Sequence, residues 1–488
     1  MHVKRGPLLI ALATLGLGAV VASDSSRSRI DLGPCDEFKI DGARCGFLSV
    51  PENWATSSGR RIGIHVAVAP ATGSDAAVDP IFFFYGGPGA AASSEAPESA
   101  DFWRELRVRR DLVFIDQRGT GRSAPLHCRY AGDPHDPNTY AIDLFDIAHL
   151  KSCHEHHAEI HDLTQYGTAD AIQDAEAVRV ALGYARINAV GESYGTRVVQ
   201  EYARRHPERI RTALLLGVVP PSASITEGMA ASLDATLGQF FTSCESDRGC
   251  AAAFPDLRSR TASLLMAAND AGFSAEIRLG QGELRMATIS YELGLAWIRS
   301  RLYSVTEAAR LPRILSQASR GDARELVRGA IHWRREISSS LSEGMYASVT
   351  CAEDMPFVDV EAEIAAATGT WLGSHRVTIQ QAACAIWPRP AVADDIKHPL
   401  DVKTPILVMN GDRDPATSLD WARTAVSHAP NARLVVAQNR SHALTHDRDP
   451  CLRSLASQFV DTADPASIDD ACAAKLALPP FDIAAGTD

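Results

Sequence analysis

The sequence predicts an α/β fold, a mostly parallel central sheet flanked by helices and interrupted by an inserted helical cap. Three observations predict it. Short, almost wholly apolar runs recur at 81–85, 111–115, 186–190, 213–216 and 405–410, each the length of a strand buried on both faces. Loops rich in glycine or acid follow several of these runs, and one of them, Gly191-Glu192-Ser193-Tyr194-Gly195, leads directly into a helical pattern. From about 222 to 400 the character changes and helical periodicity dominates, with no second strand-to-loop signal of that kind.

Taken in order, Lys4 and Arg5 precede an apolar run from Leu8 to Val21 that ends in small residues at Ala22. This is the pattern of a cleaved leader over 1–22, and the run is shorter than the ~20 apolar residues a spanning helix needs. The core's first part, 23–221, follows. Ile62, Ile64, Val66 and Val68 alternate along a half-buried strand at 61–69. Ile81-Phe82-Phe83-Phe84-Tyr85 reads as a central strand that runs into Gly86-Gly87-Pro88-Gly89, a loop able to expose backbone N–H groups. The strand at 111–115 ends in Asp116-Gln117-Arg118-Gly119-Thr120-Gly121-Arg122-Ser123, whose charged groups are expected to brace the site from beneath. As a phosphate loop this stretch lacks the lysine of a P-loop.

His157 and His161 share a helix face in a histidine-rich stretch, but the sequence has no H-E-x-x-H, and a solvated helix without metal is the favoured reading. Ile172, Ala175, Val178, Ala181 and Leu182 mark an amphipathic helix over 168–182. The strand at 186–190 and a helix at 196–205 enclose the glycine-serine pentapeptide, and Ala213 to Leu216 is another buried strand. Helices are expected at 230–241, 292–302 and 323–333 inside the insertion over 222–400, which would sit over the serine and limit access to it. The core's C-terminal part, 401–488, resumes with a strand at 405–410 ending in Gly411-Asp412-Arg413-Asp414-Pro415. A last strand at 433–437 leads to Ser441-His442-Ala443, and a helix at 451–460 follows.

The pentapeptide is a nucleophile elbow, in which a sharp strand-to-helix turn lifts a serine hydroxyl above the sheet edge. With an acid after a later strand and a histidine after the last one, the chain order is Ser, Asp, His, that of the α/β-hydrolase fold. A serine hydroxyl is a weak nucleophile until a neutral imidazole takes its proton, and a buried carboxylate fixes the tautomer that can do so. Ser193, Asp414 and His442 are the candidates, with Asp414 favoured over Asp412 and His442 over His446.

Together with Gly86 to Gly89, Asp116 to Ser123, Gly191 to Arg197, Asp414-Pro415 and His442, the core on both sides of the insertion resembles the prolyl aminopeptidase and tripeptidyl aminopeptidase family of secreted α/β-hydrolases. The resemblance implies acyl transfer to Ser193, with the N–H groups of Tyr194 and Gly87 holding the oxyanion. It also implies a peptide substrate whose free N-terminus is held by acids, for which Glu353, Asp354 and Glu192 are the candidates; a brace at the cap's hinge is the other reading of Glu353 and Asp354. Two departures stand out. Tyr85 occupies a place where many relatives have histidine, and Glu192 one where glycine is common. Gly-Glu-Ser-Tyr also resembles serine carboxypeptidases, so a carboxypeptidase and a carboxylesterase using the same three residues are the alternatives. No cofactor and no metal are implied.

With 48 basic and 60 acidic residues the formal charge is −12, and losing Lys4 and Arg5 makes it more negative, a balance that would repel nucleic acid and anionic lipid. Such a chain is expected in a periplasm or outside the cell, without stable membrane association. Ten cysteines in an oxidising compartment are expected to form disulfides, and sequential neighbours are the simplest pairing.

Overall fold

The computed structural model describes residues 29–484 except 36, 37, 57, 129 and 131; the leader expected over 1–22 lies outside the described residues. Among the described residues eleven strands occur in chain order: β1 Gly33–Pro34, β2 Arg44–Pro51, β3 Arg61–Ala69, β4 Ile81–Phe84, β5 Leu112–Ile115, β6 Ile187–Glu192, β7 Ile210–Leu216, β8 Phe273–Arg278, β9 Leu284–Ile289, β10 Ile406–Gly411 and β11 Ala432–Ala437. Nine of them build one sheet in the order β1-β2-β3-β5-β4-β6-β7-β10-β11. The edge from β1 through β3 to β5 pairs antiparallel, and every pairing from β5 onward is parallel. This is the α/β-hydrolase fold.

The sheet is covered on both faces, which explains why its central strands carry no polar alternation. Along β4 the side chains still alternate: Phe82 and Phe84 enter one buried cluster with Val113 and Tyr202, while Ile81 and Phe83 enter another with Phe114 and Leu214. Parallel pairing also delivers several strand ends to one edge. Phe84 lies beside Gly191, Glu192 beside Leu216, and Met409 beside Leu216, so the loops after β4, β6, β7 and β10 emerge together. Chemistry assembled there draws on residues far apart in sequence.

Between β7 and β10 lie helices at Met229–Ser246, Leu257–Ala271, Tyr291–Arg301, Leu311–Ala318, Arg324–Ser340, Glu343–Glu353 and His375–Cys384, with several shorter ones. They enclose a third apolar cluster that includes Leu237, Phe240, Leu295, Leu311 and Ile331. The segment also contains the β8–β9 hairpin, an antiparallel pair that the sequence reading did not anticipate. It folds back onto the loops at the sheet edge, through backbone bonds among others. The Ser342 N–H donates to Gly89 O at 2.9 Å, and the Ala443 N–H donates to Tyr303 O at 2.8 Å.

All ten cysteines pair as sequential neighbours: Cys35–Cys45, Cys128–Cys153, Cys244–Cys250, Cys351–Cys384 and Cys451–Cys472. Among the described residues no helix is long and apolar enough to cross a membrane.

Candidate active site

Ser193 follows β6 and opens the helix Tyr194–Arg205 with φ 56° and ψ −126°, a conformation costly for a residue with a Cβ. Its N–H donates to Leu216 O at 2.9 Å, which fixes the turn against β7. The glycines of the pentapeptide act through the absence of a Cβ: one added at Gly195 would lie 1.9 Å from Phe84 O, and one at Gly191 would lie 2.6 Å from Gly195 O. Only glycine lets the helix start this close to the sheet.

The loop after β4 packs directly on the serine, since a Cβ at Gly86 would fall 2.5 Å from Ser193 Cβ. The next residue, Gly87, takes φ 107° and faces Leu341 of the helical segment. Tyr194 supplies the helix's first N–H, a group with no intrahelical acceptor. Its side chain is buried and turned elsewhere, with its hydroxyl 2.7 Å from Thr168 Oγ1.

Asp414 and His442 meet. His442 Nδ1 is 2.8 Å from Asp414 Oδ2, and both residues are buried. Asp414 is held by its own turn: Oδ1 accepts from the N–H groups of Ala416 at 2.7 Å and Thr417 at 2.8 Å, and Oδ2 accepts from Thr417 Oγ1 at 2.6 Å. Thr417 Oγ1 also lies 3.2 Å from His442 Nδ1. Burial would raise the Asp414 pKa, but His442 and the hydrogen bonds outweigh it and hold the carboxyl below its ordinary value. Burial would lower that of His442, yet Asp414 and then Glu192 outweigh it and raise the imidazole above 6.5. Asp412 instead accepts from Gln438 Nε2 at 2.7 Å and has no part in this pair.

His442 joins the serine's neighbourhood through Gly217, which follows Leu216: a Cβ there would lie 3.0 Å from His442 Nδ1. From the other side the Tyr303 ring stands edge-on to the imidazole, with centroids 4.9 Å apart. Thr417 and Tyr303 are residues that the sequence reading missed. Thr417 sat in view, three residues after the acid, whereas nothing in sequence ties Tyr303 to a histidine 139 positions away.

Beneath the site, the loop after β5 is the expected brace. Asp116 accepts from Ser93 N at 2.8 Å, Ser93 Oγ at 2.9 Å and Arg122 N at 3.0 Å, and Arg118 grips Asp174 with two bonds of 2.7 Å. His157 and His161 use ring nitrogens on protein partners: His157 Nε2 is 3.1 Å from His127 O, and His161 Nδ1 is 2.9 Å from Tyr166 OH.

The three acids proposed for a substrate ammonium separate. Glu353 and Asp354 are fully buried in an internal ion cluster. Glu353 accepts from Thr168 N at 2.8 Å and Thr168 Oγ1 at 2.7 Å, with Arg197 Nη1 at 3.7 Å. Asp354 Oδ1 accepts from Arg197 Nη2 at 2.8 Å and Lys397 Nζ at 3.3 Å. These carboxylates already have cations, and the structure corrects their expected place at the substrate: they tie the helix after Ser193 to the return of the helical segment. Glu192 stays beside Ser193, half-buried, accepting from Thr445 Oγ1 at 3.3 Å.

Comparison with known proteins bears on this arrangement. Residues 79–251 match the α/β hydrolase fold family, and residues 371–472 match the family described as TAP-like protein. The chain is 24% identical to a tripeptidyl aminopeptidase of Streptomyces coelicolor, an alignment covering 93% of this chain and 88% of that protein. The chain thus carries an α/β hydrolase fold region and a TAP-like region, and tripeptidyl aminopeptidases are among the proteins it is similar to. It is also 23% identical to the serine protease Hip1 of Mycobacterium tuberculosis over 92% of this chain and 93% of that protein. A shorter match, 32% identical over 28% of this chain and 32% of the relative, joins it to a proline iminopeptidase of Neisseria meningitidis. In this α/β-hydrolase the matched regions carry both halves of the site, Ser193 in the first and Asp414 with His442 in the second.

Proposed function

We propose that this α/β-hydrolase is an exported serine aminopeptidase that releases N-terminal residues or short peptides through an acyl-enzyme on Ser193. His442 takes the serine's proton and returns it to the leaving amine; Asp414 holds the imidazole with its acceptor nitrogen free; the N–H groups of Gly87 and Tyr194 receive the oxyanion. The observation that carries this reading is the buried Asp414–His442 pair at the strand edge where Ser193 is held at positive φ. The two long alignments, to proteins named as a tripeptidyl aminopeptidase and a serine protease, favour a peptide over an ester. Residues 222–400 act as the cap, an assignment supported by Leu341 against the Gly87 loop and Tyr303 against His442. Five disulfides support export, to a periplasm or beyond the cell, after loss of a leader over 1–22.

The test is hydrolysis of free-amine and N-blocked aminoacyl and tripeptidyl amides, with a short acyl ester, by the mature protein and its Ser193→Ala variant. Turnover of free-amine amides that blocking and the mutation both abolish is expected. Turnover of the ester alone would make the protein a carboxylesterase.

The same site sets a pH dependence. Only the neutral imidazole can act as the base, and the carboxylates of Asp414 and Glu192 favour its charged form. For the free enzyme kcat/KM should therefore rise with pH through a midpoint above 6.5, and a profile flat from pH 5 to 8 would exclude His442 as the base.

A further inference from the structure

Glu192 is the one acid of the three that is not fully buried, and its surroundings say which part of a substrate it meets. It immediately precedes Ser193, and its Oε1 accepts from Thr445 Oγ1, a residue of the loop that begins at His442. The carboxylate is thus suspended between the nucleophile's turn and the histidine's loop. Among the described residues no lysine or arginine comes within ion-pair distance of it. The nearby Arg299 is committed elsewhere: one arm donates to Tyr303 OH at 2.7 Å and the other to Pro415 O at 3.1 Å. The Glu192 carboxylate therefore has no lysine or arginine partner, and the one positive charge it faces is that of His442 when protonated, so its energy improves when a ligand brings a second cation.

The histidine's side of the serine is the leaving-group side. The imidazole that takes the hydroxyl proton must deliver it to the departing nitrogen, so that nitrogen and the residue attached to it lie over the His442 loop. Resting on the serine-peptidase reading above, we infer that Glu192 forms a cation-selective subsite for the residue just after the cleaved bond, favouring lysine or arginine there. The preference concerns the leaving group, and the substrate's own N-terminus is held by other means. It costs the chemistry nothing, because the same anion also steadies the imidazolium that forms as the serine attacks.

The experiment compares kcat/KM for free-amine peptides that differ only in the residue after the scissile bond, Lys, Gln or Glu, alongside acyl esters of a cationic and a neutral alcohol. Lysine is expected to exceed glutamate by about tenfold, the scale of a partly desolvated charge pair. Glu192→Gln should bring the ratio within about twofold and Glu192→Asp should keep most of it. In the same Glu192→Gln variant the midpoint of the acid limb should move down, since one of the charges that favours protonated His442 is gone. A lysine-to-glutamate ratio unchanged in Glu192→Gln would overturn the proposal. So would a variant that instead loses its discrimination between free and blocked amines, because Glu192 would then hold the N-terminus. If the wild-type protein cleaves only the esters, the peptidase reading fails while a cation preference among the alcohols would still support the subsite.

Discussion

Asp414→Asn is expected to lower kcat about 10⁴-fold with the fold intact, the loss known for this change in a serine protease triad. The wild-type carboxylate is held by four hydrogen-bonding groups, three from its own turn and one from the histidine, so its orientation is fixed before any substrate arrives. An asparagine can keep Oδ1 on the N–H groups of Ala416 and Thr417. Its amide nitrogen then takes the place of Oδ2 and points N–H at His442 Nδ1 and Thr417 Oγ1. Nδ1 must become an acceptor, which moves the ring proton to Nε2, the nitrogen that the serine needs empty. The variant would hold the right atoms in the wrong tautomer. Steady-state kinetics with a thermal melt beside them checks this: unchanged melting with kcat near the parent's would remove Asp414 from the mechanism.

This effect could be forecast because the relay follows from chain order and local chemistry. Strands buried on both faces announce themselves as apolar runs, and a strand-loop-helix around a serine has few other uses, so the sheet and the residues at its edge were legible at 81–85, 186–195 and 405–415. What lay beyond reach was contact between distant segments. Tyr303 against His442 and Leu341 against Gly87 depend on how the helical segment folds back, which no local pattern encodes. The β8–β9 hairpin was legible in principle, since Phe273, Ala275 and Ile277 turn inward while Ser274, Glu276 and Arg278 turn out, but alanine weakens the alternation and Leu284 and Met286 break it by facing solvent. Strand β2 was likewise hidden, its apolar residues interrupted by polar ones such as Arg44 and Ser49.

Glu353 and Asp354 show the same limit in charge. An acidic pair reads as an anion waiting for a cation, and sequence does not say whether the cation is a ligand or an arginine 156 positions upstream. Arg197→Met tests that the latter holds. Removing the guanidinium leaves two buried carboxylates with Lys397 alone, whose ammonium is itself weakened by burial. Breaking a buried ion pair from one side costs roughly 3–5 kcal/mol, because the remaining charge has neither water nor partner. The loss should be read as a lowered denaturation midpoint with the disulfides oxidised. Burial raises the pKa of Glu353 even with Arg197 present, so the folded protein holds its proton more tightly than the unfolded chain does. The penalty of an unpaired Glu353 therefore grows as pH rises above 4.5 and falls as pH drops toward 4.5, where the carboxyl becomes neutral in both states. The gap between variant and parent should accordingly be wider at pH 7 than at pH 5. Adding Glu353→Gln and Asp354→Asn to Arg197→Met should recover part of the stability, since no buried charge is then stranded. A variant as stable as its parent at pH 7 would mean that the two carboxylates are not held by Arg197, and would return them to the substrate's ammonium.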